Sequence, residues 1–312
     1  YAPFSFILEN KSLKAFRNED LTLSLRLEGE ALPQAVYLVQ NGTRFKLNTT
    51  DNRTFDYTFK NVQRGFGFTF EAAGFSSDAY QVQVVERPSM LAFDVTLRYP
   101  AYLNKPAESF ANVGNLTVPE GTAVEWHFNT SATSALGVRF EGDSVLYTAE
   151  SRSSDRFQLK RTARRSAQYS VLLQNAETPS PEQIGYYLNV IPDKYPVLML
   201  ENFQDTTLYN FLVFGGSISD DYGFSKLQLF YTIRREGQDK QAALTPKSIP
   251  IPFNKAVNTQ SFYFQWYVDS LRLAPGDRIE YFAQVWDNDG VNGPKSARSR
   301  TINFTVPSKD QL

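Results

Sequence analysis

No cysteine occurs among the 312 residues, which removes inter-sheet disulfides, thiolate metal sites and thiol nucleophiles together. Histidine is almost as scarce, since His127 is the single one. Ser-His-Asp and Cys-His catalysis both need an imidazole base. His127 lies in Glu125-Trp-His-Phe128, an alternating run that reads as an ordinary strand. No Gly-rich phosphate cradle is present, and no run reaches the ~18 apolar residues of a membrane span. An excess of one charge is missing as well: 32 Lys+Arg face 33 Asp+Glu, a net charge of -1. No overall field gathers a polyanion, so a nucleic-acid partner is not expected. Without an initiator Met or a signal peptide, the opening Tyr1-Ala-Pro-Phe4 reads as a segment cut from a larger protein. Any anchor or export signal is then expected outside it.

What the chain does carry is strand chemistry. Hydrophobic residues make up 42% and aromatics 14%, with 25 Phe and 17 Tyr, a composition suited to pleated, half-buried surfaces. Leu21-Thr-Leu-Ser-Leu-Arg-Leu27 puts four leucines on one face and polar side chains on the other. Ala35–Val39 and Arg44–Leu47 flank Asn41-Gly42, a pair suited to a hairpin because both turn residues tolerate positive φ. Phe55–Phe59, Gly67–Glu71 and Tyr80–Val84 bring the total to about seven strands, the number in one immunoglobulin-type sandwich.

The pattern then repeats. Phe93–Tyr99, the run through Trp126, a hairpin at Glu141-Gly142-Asp143, Phe157–Lys160, Gln168–Leu173 and Gly185–Val190 form a second unit. Val197–Glu201, Leu212–Ser219, Lys226–Ile233, Ser261–Val268, Arg278–Trp286 and Arg300–Val306 form a third. The proline-bearing stretch Gly237–Lys255 is expected to be an irregular crossing. The sequence thus predicts an all-β chain of three tandem immunoglobulin or fibronectin III-like sandwiches, at 1–87, 88–192 and 193–312. Short proline joints at Glu86-Arg-Pro88 and Ile191–Pro196 predict a semi-rigid rod. Leu271 to Trp286, with Pro275-Gly276-Asp277 ahead of Tyr281, reads as the corner of a fibronectin-like unit. Tyr169 is its weaker counterpart in the second.

Four chemical candidates stand out. Asp287-Asn-Asp-Gly-Val-Asn-Gly293 looks like the front half of a calcium loop, and Asp220-Asp221 follows an earlier strand of the same unit. Sandwich topology can bring Asp220, Asp221, Asp287 and Asp289 to one end. The competing reading is a plain turn, since Asp, Asn and Gly serve tight turns by themselves and position twelve is Arg298 rather than Glu. Lys160-Arg161 and Arg164-Arg165, with Arg152 and Arg156, form a basic cluster suited to phosphate or acidic polysaccharide, or else a solvated loop face. Tyr186-Tyr187 and Trp266-Tyr267 offer sugar-stacking rings, because neighbours along a strand point to opposite faces. Seven N-x-S/T sequons, at Asn10, Asn41, Asn48, Asn52, Asn115, Asn129 and Asn303, read as chance matches in an Asn- and Thr-rich chain.

Five phrases together resemble a family of large Bacteroidota membrane-anchored envelope proteins of uncharacterised function. They are Tyr99-Pro-Ala-Tyr102, Gly114–Thr122, Asp193-Lys-Tyr-Pro-Val197, Asp220-Asp-Tyr-Gly-Phe224 and Val285–Lys295. An Asp-Asp-Tyr-Gly phrase is similar in alphaproteobacterial proteins of like arrangement. The resemblance implies sandwich modules on the extracytoplasmic side, in the periplasm of a Gram-negative cell, tethered by helices outside this segment. No catalytic residue comes with it. The expected function is a non-catalytic spacer or protein-interaction scaffold, with a glycan-binding or adhesive module as the alternative. No cofactor is expected beyond the Ca²⁺ candidate, and the partner is an envelope protein or a glycan.

Overall fold

The computed structural model describes residues 3–203 and 211–307. Among them the chain is all-β, a tandem array of β-sandwiches with two single-turn 3₁₀ helices, Ala101–Leu103 and Asp269–Leu271. Six sheets sort by sequence, two over Phe4–Val85, two over Ser89–Ile191 and two over Val197–Thr305. By packing, the chain divides into two compact units. One comprises Tyr1–Phe93, His127–Leu159 and Gln168–Tyr186; the other comprises Asp94–Trp126, Lys160–Ala167 and Tyr187–Leu312.

In the first unit, alternation does what the pattern promised. Leu23, Leu25 and Leu27 of strand Leu21–Gly29 have no exposed surface, while Thr22, Ser24 and Arg26 stay at the surface. Burying one such side chain contributes about 1.5–3 kcal/mol. The leucines meet Val36, Leu38, Phe55, Phe70 and Val82 from the rest of the sandwich. Asn41 and Gly42 turn the hairpin between Tyr37–Gln40 and Thr43–Lys46 with φ of 49° and 77°. The sandwich holds ten strands rather than about seven. The surplus includes the short strands Lys14–Phe16, Asn48–Thr49 and Phe75–Ser76, too brief for a period to show. Lys14–Phe16 pairs in parallel with the last strand, Tyr80–Val85. Leu116–Pro119 does the same with Glu182–Ile191 in the next sandwich.

The sandwich from Val197 to Thr305 buries Leu212, Phe214, Leu229, Trp266, Ile279 and Tyr281 between its sheets. Tyr281, at the expected corner, packs its ring on Phe214 and Trp266. Burial drives its hydroxyl up to about 12. Tyr169 is likewise buried and stacks on Phe140 at 5.5 Å.

Two expectations are corrected. The stretch Gly237–Lys255 is not wholly irregular, because Lys247–Pro250 pairs antiparallel with Phe224–Arg234 as an edge strand. An edge has a free side, so proline at its end costs no ladder bond. The expected last strand, Arg300–Val306, is present as the shorter Ile302–Thr305, and an unexpected short strand, Ser296–Arg298, precedes it along the same partner. Ser299 lies between the two and turns its hydroxyl to accept the Ala283 N–H at 2.9 Å.

Candidate ion and interaction site

The site is built from two turns and a joint. Asp220 closes the turn after strand Phe211–Ser219, its Oδ2 accepting the N–H groups of Tyr222 at 2.9 Å and Gly223 at 2.8 Å. Gly223 has φ +116°, and a Cβ there would sit 3.3 Å from the Asn288 amide, so only glycine passes easily. Asp287 ends strand Arg278–Asp287 and repeats the device. Its Oδ1 accepts from Asp289 N at 3.2 Å and Lys295 N at 2.8 Å. Asp289 Oδ1 accepts from Val291 N at 2.8 Å and Asn292 N at 3.1 Å. The turn reading therefore accounts for one oxygen of each of these carboxylates.

The second oxygens point elsewhere. Carboxylate oxygens of Asp193, Asp220 and Asp287 lie within 4.8 Å of one another. Into this cluster comes Lys295, whose Nζ is 3.0 Å from Asp193, 2.8 Å from Asp287 and 2.9 Å from Asp289. The contacts to Asp193 and Asp289 are hydrogen bonds. The one to Asp287 Oδ2 is an ion pair. No donor among the described residues reaches Asp220 Oδ1, Asp221 Oδ1 or Asn288 Oδ1, all of them buried acceptors.

The electrostatics follow from burial among like charges. Burial lifts the Asp193 carboxyl above its ordinary value, with Asp221 adding to the rise, against bonds from Tyr102 and Lys295. Asp220 rises for the same reason, its turn bonds opposing and Asp221 and Asp193 contributing. Asp289 goes the other way, because Lys295 and the two loop N–H groups outweigh its burial. Lys295 itself is held charged: burial opposes the charge, and its carboxylate partners overcome that.

Asp193 also ties in the segment before it. Its Oδ2 accepts the Tyr102 hydroxyl at 2.6 Å, and the Tyr102 ring meets Tyr222 edge-on at 5.9 Å. Beside this, Asn292 donates to Glu120 at 2.9 Å. Gly121, at φ +86°, faces Val291 so closely that a Cβ would lie 2.4 Å from its side chain. All five phrases quoted above thus place residues at this joint. Of the four expected acids, Asp220 and Asp287 converge, Asp289 is engaged by Lys295, and Asp221 flanks them with Oδ2 accepting Lys194 N at 3.4 Å. Asp193 and Lys295 went unseen in sequence. One lay in a stretch read only as a joint, and the other followed the Gly-Pro that ends the loop.

Other candidates scatter. Trp266 is buried and Tyr267 exposed, as alternation requires, and Tyr187 is more exposed than Tyr186. Lys160 pairs with Glu125 at 3.5 Å, and Arg152 with Glu150 at 3.2 Å. His127 lies on the exposed face of strand Ala123–Ser131. No helix among the described residues is long and apolar enough to cross a membrane.

No family model and no curated protein matches the sequence. Among solved structures, the chain is similar to the fibronectin(III)-like modules of Clostridium thermocellum CbhA, at 11% identity and TM-score 0.33, over 60% of this chain and 95% of that one. It is also similar to the FN1–FN3 domains of chicken CNTN1, at 10% identity and TM-score 0.21, over 97% of each chain.

Proposed function

We propose that the chain is a non-catalytic spacer or protein-interaction scaffold, part of a larger membrane-anchored envelope protein and held on the periplasmic side of a Gram-negative cell. The observation that carries this is the joint at Ile191–Pro196. A spacer must keep its modules from swinging, and here Tyr102, Asp193 and Lys295 form one bonded chain across it. Gly121 packed on Val291 leaves no slack beside it. Buried polar chains of this kind fix orientation, because breaking one leaves a partner without its bond. Limited trypsinolysis tests the idea. A locked joint protects the bond after Lys194 in the wild-type chain and loses that protection in Tyr102→Phe; rapid cleavage of the wild type at Lys194 removes the spacer reading. Protease accessibility of the full-length protein in spheroplasts tests its place, and protection matching that of a cytosolic marker would overturn it.

The second reading, a glycan-binding face, has its own support. Strand Thr259–Tyr267 turns Thr259, Ser261, Tyr263, Gln265 and Tyr267 outward, all exposed. Tyr263 and Tyr267 keep 67% and 63% of their surface in solvent, so two rings stand in a polar row. Affinity electrophoresis through polysaccharide-loaded gels decides it. Retardation that Tyr263→Ala and Tyr267→Ala abolish supports the reading, and unchanged mobility across polysaccharides ends it.

A further inference from the structure

We infer that the acid cluster at the joint is a Ca²⁺ site, with Asp193, Asp220 and Asp287 as carboxylate ligands and Asp221 and Asn288 supplying further oxygens. This goes beyond the spacer reading and does not depend on it.

Asp220 and Asp287 are 8% and 0% exposed, and each gives one oxygen to its own turn. Had turns been the whole purpose, Asn would serve as well, since the turn uses one acceptor only. Instead each carries a second, charged oxygen into a buried place. Asp220 Oδ1, Asp221 Oδ1 and Asn288 Oδ1 meet no donor among the described residues, while Asp287 Oδ2 is paired with the Lys295 ammonium at 2.8 Å. Buried acceptors left this way are costly, and a buried charge more so. Five aspartates against one lysine leave the cluster four negative charges in excess.

Chemistry then selects the ligand. The open groups are all acceptors, so a neutral donor satisfies few of them and an anion none. A hard cation meets the clustered oxygens of Asp193, Asp220 and Asp287 at once, and an oxygen-only set excludes the metals that prefer imidazole or thiolate. The carboxylates come from three separate segments with unequal tethers, an irregular set. Ca²⁺ accepts six to eight oxygens in variable geometry, whereas Mg²⁺ demands a near-ideal octahedron. Lys295 supplies part of the compensation in the calcium-free chain, and calcium competes with it for Asp193 and Asp287. Because Asp193 also holds Tyr102, the ion ties together both turns and the joint.

Isothermal titration of the chelator-treated chain with CaCl₂, and separately with MgCl₂, tests this. The expected result is one Ca²⁺ per chain with Kd at or below about 1 mM, the range of extracellular calcium modules. Mg²⁺ binds at least about tenfold more weakly. A ligand that prefers the folded state also raises the unfolding midpoint. Asp220→Asn and Asp287→Asn each weaken calcium binding about tenfold or more, the loss of one charged ligand. Should either variant fail to fold, Tb³⁺ luminescence of the wild-type chain, excited through Tyr102 and Tyr222, gives a second reading that Ca²⁺ must quench. No heat and no midpoint shift with CaCl₂, no competition against Tb³⁺, or full binding in a folded double variant D220N/D287N would each overturn the site.

Discussion

Strand Arg278–Asp287 is bracketed by two buried aspartates that face opposite fates. At its start, Asp277 accepts from Ala274 N at 2.8 Å, Arg235 at 2.6 Å and Glu236 N at 3.0 Å. Every lobe of its charge is met. Burial works to raise its carboxyl, yet these bonds together hold it below its ordinary value. At the far end, roughly 30 Å away at about 3.4 Å per residue, Asp287 gives one oxygen to its turn and turns the other into an acid cluster that it shares with Lys295. The same residue type, equally buried at the two ends of one strand, is thus a fastener at one end and a candidate ligand at the other. Burial alone does not distinguish structure from function; the neighbouring carboxylates do.

The contrast can be broken by substitution. Asp277→Ala strips bonds from two N–H groups and a guanidinium, and should cost about 3 kcal/mol with or without calcium, read as a lower unfolding midpoint. The pH course carries a sign. A carboxyl depressed in the fold gives stability that is present above its unfolded value of about 3.9 and is lost as pH falls through the folded one. The gap between wild type and Asp277→Asn should therefore be widest near neutral pH and shrink below pH of about 4; a constant gap would contradict the assignment. Gly121→Val forces a side chain into Val291 at positive φ, for a loss of about 2 kcal/mol by calorimetry. Tyr102→Phe removes one hydroxyl from Asp193 and should cost about 1 kcal/mol. Asp287→Asn keeps the turn acceptor but gives up the ion contact to Lys295 at 2.8 Å, so the calcium-free chain should lose less than about 1 kcal/mol while calcium binding falls.

How much of this was legible varied with the range of the interaction. The leucine stripe at 21–27, the Asn41-Gly42 turn and the ring of Tyr281 are local, written in period and turn chemistry, and they were read directly. The strand Lys247–Pro250 was hidden by its prolines. A breaker is informative only when the position has two neighbours, and an edge has one. In the candidate site, the loop acids were visible as a spacing, but Asp193 and Lys295 are brought in by tertiary packing over 102 positions of sequence. Nothing near Asp193 announces a partner so distant. A lysine sharing a buried cluster of acids is a fact of three dimensions.

The parallel pairing of Lys14–Phe16 with Tyr80–Val85, repeated by Leu116–Pro119 and Glu182–Ile191, bears on mechanics. Pulling the ends of such a sandwich apart slides two parallel strands past each other. Their cross-strand bonds are then loaded together in shear instead of being peeled one at a time. A sandwich so closed resists tension best along the line of its own chain.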